Sequence, residues 1–215
     1  MNRREALSSV ALLLGGTIIG AEAFLSGCTN SMKNPGAAGL NFSPDDIAFL
    51  DDVGETILPA TASSPGAKEA KIGQFMKTIV NDCYEEKDQK IFVDGMGQLS
   101  DASKKKYSKD FTALSDTEKH DFLVGLDKES KDYMKKKGDF DKEQNEKEAA
   151  EKAKGNTAFK KEEMPVHYFT MIKQLTIWGY FTSEPGATKA LRYVAVPGKY
   201  EGCVPYKKGD KAWAT

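Results

Sequence analysis

Histidine and cysteine are scarce in this chain, with two and three among 215 residues. His120 and His167 stand far apart, with no acidic or thiol cluster at ligand spacing, which argues against a zinc site. No Cys-x-x-Cys-His run occurs, so the chain carries no attachment site for a c-type haem of its own. No Gly-x-Gly-x-x-Gly follows a strand pattern; Gly95 and Gly97 flank Met96 inside a helical pattern, which is no phosphate cradle. An excess of one charge is missing as well: 31 basic residues face 32 acidic ones, a net charge of −1. Nucleic-acid binding calls for a basic face, and nothing here supplies one. Period-two alternation of apolar and polar residues persists nowhere, which excludes a sheet. His167, beside Tyr168, has no nucleophile or orienting acid near it in sequence and reads as structural. The absences leave no candidate catalytic, cofactor-binding or metal-ligating residue.

A long uninterrupted apolar run is also lacking. Gly15, Gly16, Gly20 and Glu22 break the N-terminal stretch, and a membrane-spanning helix needs about 20 apolar residues. What stands there has two signals superimposed. Arg3-Arg4 followed by a weakly apolar run resembles a twin-arginine export signal, the route of proteins that cross a membrane already folded. Leu25-Ser26-Gly27-Cys28 resembles a bacterial lipobox, cut before the cysteine, whose thiol is then acylated. The expected organisation is a signal peptide over 1–27, a small-residue polar tether over 28–42 and a folded domain over 43–215. The protein is expected on the periplasmic side of a bacterial envelope, held to the inner or the outer membrane by lipid on Cys28. Arg3 and Arg4 offset Glu5 and Glu22, so the mature part is near −1 too. With Cys28 lipidated, Cys83 and Cys203 are either a disulfide pair in an oxidising compartment or two unrelated thiols.

The domain reads as all-α, a bundle of five to six helices. Ser43 as cap, Pro44 at the first helical position and Asp45-Asp46 open a helix that carries Ile47, Leu50, Val53 and Ile57 and stops at Pro59. Ile72, Phe75, Met76, Ile79, Val80 and Cys83 define one face of a second helix. A third begins near Gln89, with Ile91, Phe92, Met96 and Leu99. Ser115 and Glu118 form a capping box for a fourth through Phe122, Leu123, Leu126 and Tyr133. Residues 135–163 hold almost nothing apolar. They read as a solvated, charged insertion in which Glu/Lys pairs can support an exposed helix. A fifth helix, with Pro165 in its first turn, directs Val166, Phe169, Ile172, Leu175 and Ile177 to a core face. Tyr168, Trp178, Tyr180 and Phe181 make it unusually aromatic, a candidate partner interface or part of the core. Gly179 and Gly186 read as backbone requirements, and Arg192 and Glu184 as candidates for an internal ion pair or for orienting the tail. A turn with a short helix leads into an irregular, Gly/Pro-rich tail.

Three segments together carry a resemblance: Glu55-Thr-Ile-Leu-Pro59 ahead of a Pro-Gly-Ala loop, Leu175-Thr-Ile-Trp-Gly-Tyr-Phe-Thr-Ser-Glu-Pro-Gly-Ala187, and Leu191-Arg-Tyr-Val-Ala-Val-Pro-Gly-Lys-Tyr-Glu-Gly-Cys203. Over roughly residues 43–206 the chain resembles the gluconate 2-dehydrogenase subunit 3 family, the small subunit of membrane-associated sugar and sugar-acid dehydrogenases. The resemblance implies a non-catalytic accessory chain. Its expected partner is a large flavoprotein of the glucose–methanol–choline oxidoreductase type, which binds FAD and oxidises the sugar. Some complexes of the family add a cytochrome c subunit as electron acceptor. The small subunit carries the export signal and accompanies the folded flavoprotein. The alternative is a stand-alone envelope lipoprotein that serves as a binding or scaffolding module.

Overall fold

The computed structural model describes residues 40–196, 198–199 and 202–214. Arg3, Arg4, Cys28, the expected signal peptide and most of the expected tether lie outside the described residues. The chain divides into Met1–Asn41 and Phe42–Thr215, and the account below concerns the second unit. Its described residues are mostly helical and form no sheet, so the domain is all-α. None of its helices is long and apolar enough to cross a membrane.

Reciprocal caps open two of the helices where the sequence places them. In α1 (Pro44–Ile57), the Asp46 backbone N–H donates to Ser43 Oγ at 3.1 Å. The Asp46 carboxylate in turn accepts the Ser43 N–H at 2.9 Å. α2 spans Ile72–Cys83 and α3 spans Glu86–Tyr107, starting three residues before Gln89. After a 3₁₀ turn at Phe111–Ala113, the same reciprocal cap between Ser115 and Glu118 opens α4, Asp116–Ala153. α5 covers Tyr168–Thr182, and a π turn at Gly186–Ala190 precedes the tail. Pro165 thus lies ahead of α5 rather than in its first turn; His167 is the cap, accepting the Phe169 N–H on Nδ1 at 3.2 Å.

α5 is the axis of the domain, packing against α1, α2, α3 and α4. Phe169, Ile172, Leu175 and Tyr180 on α5 are buried with Leu50 and Val53 of α1, Ile72, Met76 and Val80 of α2, Phe92 and Leu99 of α3, and Leu123 and Leu126 of α4. Burial of such side chains contributes about 1.5–3 kcal/mol each.

The stretch 135–153 continues α4 without a break. Its residues satisfy one another along the helix surface: Lys137–Asp141, Glu143–Lys147 and Glu148–Lys152 are all four apart. The chain then returns beside it, where Lys161 reaches Glu148 at 3.1 Å and buried Gln144 accepts the Glu162 N–H at 3.3 Å.

Candidate functional site

The loop after α1 is built on one carboxylate. Glu55 accepts the Ala60 N–H on one oxygen at 2.9 Å and the Lys68 N–H on the other at 2.8 Å. Gly66 lies so close to this carboxylate that a Cβ there would stand 2.0 Å from it. The Ala67 N–H donates to the Leu58 carbonyl, which closes the loop on the end of α1.

Tyr180 reaches that loop from α5. Only 3% exposed, it donates its hydroxyl to the Pro65 carbonyl at 2.5 Å and lies 2.8 Å from Ser64 Oγ. Gly179 beside it leaves the space that the Phe75 ring of α2 occupies; a Cβ at 179 would come within 2.5 Å of that ring. Gly179 is therefore a packing requirement between two helices and not a backbone one. Gly186 is buried where a Cβ would stand 1.8 Å from the Tyr180 carbonyl oxygen.

The tail joins the same end of the bundle. The Arg192 N–H donates to the Ala212 carbonyl at 2.7 Å, and the Ala214 N–H donates to the Arg192 carbonyl at 3.0 Å. The Arg192 guanidinium sits 4.7 Å from the Trp213 ring centroid and 3.6 Å from the Asp210 carboxylate. The intervening segment is therefore a loop with a fastened neck, and Arg192 is paired within the tail rather than with Glu184. Lys189 bridges to Glu69 at 2.7 Å, and Lys211 Nζ donates to the carbonyls of Ser63 and Lys189. Two stretches far apart in sequence, around residues 55–69 and 177–214, thus meet at one end of the bundle.

That end exposes apolar side chains. Trp178 is 52% exposed and Phe181 37%, and Ile177 and Tyr193 are also open. On the tail loop, Val196 and Tyr206 are each 82% exposed. Exposed large apolar side chains clustered on one helix face, as Ile177, Trp178 and Phe181 are, suit an interaction site. Trp178 keeps its orientation through an edge-on contact with Phe75, ring centroids 5.3 Å apart.

The four aromatic residues singled out in the sequence therefore separate. Trp178 and Phe181 share the open face, Tyr180 is a buried pin, and Tyr168 is half-buried at the other end of α5, with its ring over Gly95. Burial, seconded by the Glu129 charge, pushes the Tyr168 hydroxyl up to about 12. Ile177 belongs to the open face and not to the core. At 3.6 residues per turn it lies about 140° from Ile172 and about 160° from Leu175, a signal present in the sequence. Cys83 and Cys203 are both exposed free thiols. His120 is an exposed surface residue beside Asp121, and no cluster of three metal-ligating side chains occurs among the described residues.

The family model described as gluconate 2-dehydrogenase subunit 3 matches residues 44–198. Neither a curated protein nor a solved structure matches the chain.

Proposed function

Because the chain belongs to the gluconate 2-dehydrogenase subunit 3 family, we propose that it is the non-catalytic accessory subunit of a flavin-dependent sugar or sugar-acid dehydrogenase. In this reading it binds a flavoprotein of the glucose–methanol–choline type, accompanies it through folded export on the Arg3-Arg4 signal, and tethers it to the membrane by lipid on Cys28. FAD resides in the partner, and where the complex includes a cytochrome c subunit, that subunit receives the electrons. The complex works on the periplasmic side of the envelope.

The observation that carries the proposal is the convergence at the C-terminal end of α5. Segments on which the resemblance rests meet there, and that end of α5 exposes Ile177, Trp178 and Phe181, while Val196 and Tyr206 are exposed on the tail. An aromatic anchor held by a neighbouring ring is the kind of residue that dominates an interface. Trp178 is such an anchor, held by Phe75.

The test is isolation of the protein from native membranes in mild detergent, with an absorption spectrum of what accompanies it. A larger flavoprotein in stoichiometric amount, bleached by a sugar, is expected. Trp178→Asp should release it while leaving the circular dichroism of the small subunit unchanged. Arg3-Arg4→Lys-Lys should hold both proteins in the cytoplasm, and Cys28→Ala should abolish lipid labelling. Recovery of this chain alone and colourless would overturn the proposal in favour of a stand-alone lipoprotein scaffold.

A further inference from the structure

The neck of the tail loop is fastened and its tip is not. Lys211 Nζ donates to the carbonyls of Ser63 and Lys189, and Arg192 holds Trp213, but residues 202–210 are exposed without a break. The tip is a turn. The Asp210 N–H donates to the Lys207 carbonyl at 3.0 Å, and Gly209 takes a left-handed φ of +97° that glycine accommodates. Val204, Pro205 and Tyr206 lead into it, followed by Lys207 and Lys208. Tyr206 and Val204 stand open to solvent, and neither lysine side chain has an ion pair or hydrogen bond to any described residue.

This end of the chain is cationic. Residues 189–215 carry six basic side chains and two acidic ones, in a chain whose total is −1. The balance elsewhere is acidic, so the tail attracts an anionic surface. The chemistry of the tip favours lipid over protein. Its cations are lysines, and Arg192, the one arginine of the segment, is turned inward on Trp213 and Asp210. Protein interfaces are enriched in arginine and depleted in lysine, whereas anionic lipid attracts both as charges. Tyr206 has no ring contact among the described residues, unlike Trp178, which Phe75 holds. A protein pocket rewards such a preorganised anchor, but a lipid surface has no fixed shape to match. The turn is the one backbone hydrogen bond within 202–210 among the described residues. Hydrocarbon is therefore closed to the loop, and the wet headgroup layer, where tyrosine and lysine settle, is open to it.

We infer that the tip of the tail loop, residues 204–208, docks on an anionic phospholipid surface. Lys207 and Lys208 meet the phosphates, and Val204 and Tyr206 lie among the headgroups. This contact rests on the membrane placement proposed above and adds a second hold, made by the folded domain itself.

The test uses the full chain with Cys83→Ser, labelled on the exposed Cys203 with the environment-sensitive fluorophore NBD and incorporated into vesicles. With phosphatidylcholine and phosphatidylglycerol in equal parts, the emission should rise and shift to the blue; with phosphatidylcholine alone it should not. Lys207→Gln together with Lys208→Gln should weaken docking about thirtyfold. Salt near 1 M should have a similar effect, because the screening length falls to about 3 Å. Both side chains are exposed and unpaired, so the melting temperature should hold. Equal emission in the two kinds of vesicle, or emission unchanged by the lysine replacements, would overturn the inference. So would a shift produced by the flavoprotein in solution and not by anionic vesicles. The number of labels separates the tether from the loop. One label per chain means that Cys28 is blocked; two mean that the tether fails, and the loop is then read in the Cys28→Ala chain.

Discussion

The Phe75 ring occupies the hollow that Gly179 leaves on α5, and from there it meets Trp178 edge-on at 5.3 Å. One close approach of two helices thus sets the direction of the most exposed aromatic side chain on α5. Gly179→Ala would place a Cβ 2.5 Å from the Phe75 ring, so the ring or the helix must shift. Overpacking of this kind costs about 1–3 kcal/mol. The expected outcome is a lower denaturation midpoint and an altered Trp178 fluorescence. An unchanged midpoint with an unchanged spectrum would show that Phe75 has free room.

Asp52 is shared between two lysines, Lys68 at 2.9 Å and Lys119 at 3.1 Å, and both Asp52 and Lys119 are largely shielded from water. Burial pushes the Asp52 carboxyl up, but the hydrogen bonds and charges of Lys68 and Lys119 outweigh it and hold the pKa below the ordinary carboxylate value. A carboxyl depressed in the folded state contributes stability that is present above its unfolded pKa and lost as pH falls through the folded one. Asp52→Ala leaves Lys119 beneath the Phe111 ring without its partner. It should cost about 1–3 kcal/mol at neutral pH, and the difference from the wild type should shrink in acid. Urea denaturation at pH 7 and pH 3 measures both.

Legibility in the sequence followed the range of the interactions. Ser43 with Asp46 and Ser115 with Glu118 are closed within four residues; Ser43 as a cap and the Ser115–Glu118 box are present as read, and the reciprocal bond from Asp46 is added by the structure. The apolar faces of α1 to α3 are periodic, and they supply Leu50, Ile72 and Phe92 to the core. The second half of α4 has no apolar period, and its helicity comes from Lys/Glu pairs that fix no endpoint, so its extent to Ala153 was not readable. The surface at the end of α5 depends on contacts such as Tyr180 to Pro65, more than a hundred residues apart. Residue type pointed to aromatics there, but only the partners divide Tyr180, the pin, from Trp178, the exposed anchor.

His167 caps α5 through a lone pair that protonation removes. Its Nδ1 accepts the Phe169 N–H, and its ring is stacked on Tyr168 at 4.7 Å and edge-on to Tyr133 at 5.3 Å. Burial lowers its pKa from the ordinary 6.5, with Glu129 opposing. The unfolded chain therefore binds the proton more readily than the folded one. The contribution of His167 is present above about pH 6.5 and is lost as pH falls toward the lower folded value. Asn is a strong cap that does not titrate. In thermal melts, His167→Asn should flatten the fall in stability between pH 7 and pH 5. An equal slope in both proteins would assign the fall to other groups.

The neck of the tail loop depends on Arg192 more than on any other side chain. Its guanidinium covers the Trp213 ring at 4.7 Å and reaches Asp210 at 3.6 Å, while its backbone makes both bridging hydrogen bonds. A partly exposed cation over an indole is worth about 0.5–1 kcal/mol, enough to shift a local closing equilibrium several-fold without touching the core. Arg192→Ala should leave the global unfolding midpoint unchanged and speed amide exchange at Ala214, whose N–H is held by the Arg192 carbonyl. Cleavage after Lys207 and Lys208 by trypsin should accelerate by a similar factor, because those lysines lie inside the loop that the neck closes. Arg192→Lys keeps the charge but not the planar stacking surface, so it should restore only part of the protection. Full protection in Arg192→Ala would mean that the backbone bridge closes the loop unaided, and the indole would then be free to serve the partner surface alone.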